Sequence, residues 1–136
     1  MLKHILSVLL LASLTACQSL YTTPISLTEL QGNWHIDSIR GKAVTDYSPA
    51  QLTFAADGKL SGNNSCNNFF GSYQLDGKML TLKPAGSTMK ACIDELMAQE
   101  QNVMQLLPKV TAATYNDGKL LLLGSKSKVL LTLSRR

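Results

Sequence analysis

Few side chains in this chain of 136 residues are equipped for covalent chemistry. There are three cysteines, Cys17, Cys66 and Cys92, and beyond the first few residues the only histidine is His35. A thiolate backed by an imidazole and an amide is a known nucleophile arrangement, so Cys66, His35 and Asn67 form the one conceivable triad. His35, however, directly follows Trp34 in a run that reads as a strand, so its side chain points away from the tryptophan's face and toward solvent. Zinc needs four donors, or three and a water, in compact spacing, and Cys66, Cys92 and His35 do not offer it. No glycine-rich loop precedes a helix in phosphate-cradling form, and no pair of carboxylates flanks a cleft. The expectation is no catalytic residue, no metal and no cofactor.

The cysteines themselves fall into two sets. Lys3 and His4 precede an almost unbroken apolar run, Ile5 to Leu14, and Leu14-Thr15-Ala16-Cys17 closes it. A charged start, a short apolar segment and small residues before a cut site read as a secretory signal. The run falls short of the roughly 20 apolar residues a spanning helix requires. Leu-Thr-Ala-Cys resembles the lipobox of bacterial lipoproteins, in which the cysteine is acylated and the signal is cut just before it. The expected organisation is a signal peptide at 1–16, a lipidated N-terminus and tether at 17–26, and one folded domain at 27–136. Several acyl chains, at about 0.8 kcal/mol per buried methylene, hold firmly. The membrane is then a partner through Cys17. Gln18, where aspartate marks inner-membrane retention in enteric-type sorting, points to the outer membrane facing the periplasm. Net charge is +4 and the lysines are scattered, so a solvated surface is expected rather than a nucleic-acid interface.

The elements that position Cys66 and Cys92 are short β segments. Asp57-Gly58, Asp76-Gly77 and Asp117-Gly118 each separate apolar runs, and Asp-Gly suits hairpin turns because glycine accepts positive φ. Asn33 to Ile39 reads as the first strand and Val129 to Leu133 as the last. Asp94 to Leu107 instead carries Leu96, Met97, Val103, Met104 and Leu107 at helical spacing, with Asp94 at its start and Pro108 ending it sharply. Glu100 falls on that apolar stripe; a charge at the stripe's edge, reaching out to water, is the expected reading, and a buried bond to strand backbone the other. The fold class expected is mainly β (α+β): a curved antiparallel sheet or partly open barrel with one amphipathic helix packed on it. Trp34, Phe54, Leu60, Tyr73, Leu82 and Leu107 are the expected core.

Between the strands lies Ser61-Gly62-Asn63-Asn64-Ser65-Cys66-Asn67-Asn68-Phe69-Phe70-Gly71-Ser72-Tyr73, followed by Thr88-Met89-Lys90-Ala91-Cys92 and then Glu100. With Leu30, Gly32, Trp34, Ile36 and Gly41 upstream, the order and spacing resemble the META domain family of the HslJ type, over about residues 27–134. The resemblance implies a non-enzymatic envelope lipoprotein with a stress-response or envelope-integrity role. Its motif maps onto Gly62, Cys66, Asn67, Gly71, Tyr73, Thr88, Cys92 and Glu100. Read physically, Gly62 and Gly71 permit positive φ or close backbone approach, and the asparagines cap backbone groups. Phe69 and Phe70 are consecutive, so in a strand at most one faces inward. The loop is scaffolding, or else a binding surface that includes Phe70.

Cys66 and Cys92 are an even pair in an oxidising compartment, which makes a disulfide the default. Two buried thiols or a redox-active pair remain alternatives. Two further functions therefore stand beside the leading one: a thiol-redox protein using Cys66 and Cys92, and an inhibitor or partner-binding module presenting the Gly62–Gly71 loop to an envelope protein.

Overall fold

The computed structural model describes residues 23–136; the signal segment and Cys17 lie outside the described residues. The strands are β1 (Gly32–Ile39), β2 (Lys42–Ala43), β3 (Gln51–Phe54), β4 (Lys59–Asn63), β5 (Asn68–Asp76), β6 (Met79–Ser87), β7 (Ala112–Asn116), β8 (Lys119–Leu123) and β9 (Val129–Ser134). Two helices accompany them, α1 (Leu27–Leu30) and α2 (Asp94–Leu106), with a 3-10 turn at Leu107–Lys109 continuing from α2.

All the strands join one antiparallel sheet in the order β6-β5-β4-β3-β1-β9-β8-β7, with β2 paired to β1 off this path. The sheet curls without closing. Its two edge strands meet where the Leu80 N–H donates to the Thr111 carbonyl (2.9 Å). In chain order α2 lies between those same edge strands, and it buries Val103 and Leu106, followed by Leu107 of the 3-10 turn. The expected curved antiparallel sheet with one packed helix is what forms, and all six expected core residues are buried.

The strand sequences alternate because one face is solvated and the other makes the core. In β6, Leu80 and Leu82 are buried between exposed Met79, Thr81 and Lys83. β1 departs from strict alternation: Trp34, Ile36 and Ile39 all face inward because a bulge between Ile36 and Ser38 shifts the register against β9. The extra residue is Asp37, which points to the outer face.

Turn chemistry agrees with the hairpins. Asp117 and Gly118 both adopt left-handed φ (51° and 77°), the arrangement whose twist suits a two-residue hairpin. Arg40 and Gly41 do the same (49° and 79°) between β1 and β2, a hairpin the sequence reading did not anticipate. The domain also begins earlier than expected. Ile25, assigned to the tether, is buried, and Ser26 caps α1 in a reciprocal capping box with Glu29. That Ser-x-x-Glu signal was present in the sequence.

Asp94 lies in the first turn of α2, one of the two places expected for it, with Ile93 as the N-cap. One local expectation needs correction. Pro108 does not end the helical path at once but sits in the 3-10 turn, where its missing N–H removes no needed bond.

Candidate functional site

The motif loop joins β4 to β5, and it is folded inward. Asn64, Ser65, Cys66 and Asn67 are all buried, Asn64 completely. Cys66 is disulfide-bonded to Cys92, with their Cα atoms 5.8 Å apart. The bond ties the loop to the segment that launches α2.

The asparagines supply the rest of the fastening. Asn64 Oδ1 accepts from the N–H groups of Cys66 (3.2 Å) and Asn67 (2.8 Å), while its Nδ2 donates to Glu100 Oε1 (3.0 Å). Asn67 Oδ1 accepts from Thr88 Oγ1 (2.9 Å) and the Lys90 N–H (2.8 Å). Its Nδ2 donates to Glu100 Oε1 (3.0 Å) and the Lys90 carbonyl (3.2 Å). Thr88 Oγ1 in turn accepts from the Asn68 N–H (3.1 Å). Glu100 therefore does not reach out to water, as the sequence reading expected, nor bond to strand backbone. It is half-buried and gathers two amides from the loop, because its place on the inward stripe of α2 aims it at them.

Beyond this centre, Ser65 Oγ lies between Ser48 Oγ (3.3 Å) and Gln99 Oε1 (3.1 Å), and Gln99 Nε2 reaches Thr45 Oγ1 (3.3 Å). Ser65 holds φ at 110°, an unusual value for a side-chain-bearing residue; its N–H is secured by Asn63 Oδ1 (2.9 Å). Among the described residues no buried side-chain nitrogen or oxygen lacks a partner.

Gly62 and Gly71 are explained by close approach, not by positive φ. A Cβ on Gly62 would fall on the Gln51 carbonyl oxygen, and one on Gly71 would lie 2.9 Å from Pro84 Cα and collide with the Lys83 carbonyl. Tyr73 is a core residue: its ring meets Phe54 edge-on at 5.1 Å and its hydroxyl donates to the Ala55 carbonyl (2.5 Å). Burial, with the charge of Asp57 nearby, holds that hydroxyl above the ordinary tyrosine range. Phe69 faces inward and Phe70 is 62% exposed, its ring lying over Gly86 of the neighbouring strand.

The conceivable triad is not assembled. Cys66 is bonded to Cys92, and His35, half-buried instead of solvent-exposed, aims Nε2 at the Ser48 carbonyl (3.2 Å) and Nδ1 at Asp37 Oδ1 (3.4 Å). Asp37 also accepts from Lys119 Nζ (2.7 Å) and Ser134 Oγ (2.8 Å). Burial alone would raise its pKa, but the bonds from Lys119, Ser134 and His35 outweigh that and hold it below the ordinary aspartate value. A depressed folded-state pKa contributes stability that is complete above the unfolded value of about 3.9 and is lost as pH falls through the folded one. Asp37→Asn is accordingly expected to lower the urea midpoint near neutral pH and to lose that deficit below about pH 4. A deficit that stays constant from neutral pH into acid would sink this account.

Sequence reasoning picked out Gly62, Cys66, Asn67, Phe70, Gly71, Tyr73, Thr88, Cys92 and Glu100; the fold brings Cys66, Asn67, Thr88, Cys92 and Glu100 into one network and leaves Phe70 outside it. It read the loop's asparagines as backbone caps, as Asn64 is, but did not single out Ser65 or Gln99. For Asn64, the run Asn63-Asn64-Ser65-Cys66-Asn67-Asn68 was a visible signal of side-chain capping; Gln99 carried none, since its role depends on how the helix is seated.

A curled antiparallel sheet with one helix, and a disulfide and an asparagine–glutamate network that tie the β4–β5 loop to that helix and the segment before it, define a small α+β domain. The META domain family model matches residues 26–136, and the chain belongs to that family. Solved structures show the same fold. A protein from Burkholderia xenovorans, determined by NMR, superposes with a TM-score of 0.63 at 22% identity, covering 100% of this chain and 99% of that one. A second NMR structure matches with a TM-score of 0.61 at 24% identity, over 81% of this chain and 94% of its own. A crystal structure of a DUF4847 family protein from Bacteroides vulgatus gives 0.59 at 15% identity, over 78% and 93%. These likenesses establish the fold alone. The search of curated proteins returned no match.

Proposed function

We propose that this protein is a non-enzymatic lipoprotein of the cell envelope. Acyl chains on Cys17 hold it in the outer membrane, and its META domain faces the periplasm and serves envelope integrity under stress. The observation that carries the non-enzymatic reading is that the polar groups of the motif are consumed internally. Asn64 and Asn67 use both ends of their amides on the domain itself, and Glu100 is taken by them. A reactive centre needs groups held ready for a substrate. The Cys66–Cys92 bond supports an oxidising compartment. Cys66 is 2% exposed, which does not suit the accessible, cation-flanked sulfur of a thiol-redox protein. The anchor rests on the Leu14-Thr15-Ala16-Cys17 pattern, and the stress role on the family resemblance.

The anchor is tested by growing cells with an alkyne-tagged fatty acid and analysing the protein by mass and click labelling. Wild type is expected to carry the label and begin at Cys17, while Cys17→Ala carries no label and keeps its signal segment. An unlabelled wild type, or a Cys17→Ala variant labelled as fully as wild type, would overturn the assignment.

A further inference from the structure

One hollow in the described surface lies away from the motif. It lies between the β1–β2 hairpin with the segment that follows it and the outward face of α2, with a volume of about 490 Å³. That is within the range of roughly 300–1,000 Å³ typical of small-molecule sites. Ile39, Val44 and Ala98 supply apolar lining, while Arg40 and Lys42 stand on the hairpin wall.

Four observations bear on the chemistry of this cleft. Neither Arg40 nor Lys42 has a carboxylate within 4.0 Å among the described residues, so both cations are uncompensated on the same wall. Glu95, the acidic residue of the lining, is engaged by the Tyr47 hydroxyl across the rim. Arg40 also sits in the left-handed region (φ 49°) in a turn position that glycine, asparagine or aspartate fills at lower cost. The floor is preorganised: Gln99 is tied to Thr45 on the hairpin side and to Ser65 of the motif loop, so the network seats the helix that forms the far wall.

We propose that this cleft binds an anionic amphiphile, its carboxylate or phosphate meeting Arg40 and Lys42 and its apolar body covering Ile39, Val44 and Ala98. The inference does not depend on the lipid anchor. Binding would seat the ligand at the start of α2, but on the side of the helix away from Glu100.

The test uses the full chain carrying Cys17→Ser, isotopically labelled for NMR, so that no attached acyl chain competes. Dodecanoate and dodecyl phosphate, below their micellar concentrations, are titrated in separate arms beside dodecyl maltoside as a neutral amphiphile. Saturable amide shifts within residues 40–45 and 95–102 are expected with at least one anion, and whichever binds more tightly assigns the head group. Arg40→Gln with Lys42→Gln is expected to weaken that anion roughly tenfold, the sum of two solvent-facing ion pairs. Ala98→Phe, which fills the floor without touching charge, is expected to abolish the shifts. Equal binding of the neutral amphiphile, shifts confined to other surfaces, or no saturable binding of either anion would overturn the proposal.

Discussion

Opening the Cys66–Cys92 bond is expected to destabilise the domain by about 3.5 kcal/mol, the chain-entropy value for a link of this span. The two residues are 26 positions apart, and the loop they close contains the whole β5–β6 hairpin. In the unfolded chain the bond removes much of that segment's freedom. In the folded chain it joins two elements that already meet. Because native domains are stable by only about 5–15 kcal/mol, the loss is a large share of the total. The comparison is urea unfolding of the oxidised protein against Cys66→Ala/Cys92→Ala, both in a Cys17→Ser background. A difference under about 1 kcal/mol would mean that the unfolded state is already restricted there. Thiol titration of the same oxidised sample should find no reactive thiol before reduction.

A loss of roughly 3–4 kcal/mol is expected for Asn67→Ala. The deletion strips partners from the Lys90 N–H, the Thr88 hydroxyl and Glu100, and a bond to a charged group is worth about twice a neutral one. Asn64 Nδ2 still reaches Glu100, but the Thr88 hydroxyl and the Lys90 N–H lose the acceptor they share. Gln101→Ala, on an exposed position of the same helix, should change stability by less than about 0.5 kcal/mol. Asn67→Asp keeps the shape but sets a second carboxylate against Glu100, where Nδ2 and Oε1 are now 3.0 Å apart. Its folded-state carboxyl pair must take up a proton more readily than in the unfolded chain, so its deficit should shrink as pH falls toward about 5. If Asn67→Ala and Gln101→Ala cost the same in urea unfolding, the network is not what fastens the loop.

Much of the architecture was legible because its causes are local. The Asp117-Gly118 turn, the alternation through Leu80 and Leu82, and the stripe carrying Val103 and Leu107 each express a backbone or solvation preference within a few residues. The short pieces were harder. β2 has two residues and no alternation to read, and it exists because Arg40-Gly41 turns the chain back along β1. Glu100 was read as a solvent-seeking charge for a similar reason: nothing adjacent to it in the chain announces that two asparagines more than thirty positions earlier face it.

The candidate site divides along the same line. Its members Cys66, Asn67, Thr88, Cys92 and Glu100 stood out by residue type and order. Whether they face a ligand or each other depends on which side of the β4–β5 loop is covered by α2, and that is a matter of packing between distant segments. The cleft beside Arg40 and Lys42 had no sequence signature, since hollows arise from the spacing of elements.

By itself the sequence determined the order of the longer strands and of α2, the core-facing residues, the likeness to the META family and the isolation of Cys17 from the other two cysteines. Periodicity, turn chemistry and motif order are properties of neighbours in the chain. Only the tertiary structure decided that Cys66 and Cys92 are joined, that Glu100 turns inward, and that the motif's polar groups satisfy one another. Hydrogen-bond partners and close contacts are set by which remote residues the curled sheet brings together, and burial makes each unpaired group costly enough to enforce that choice.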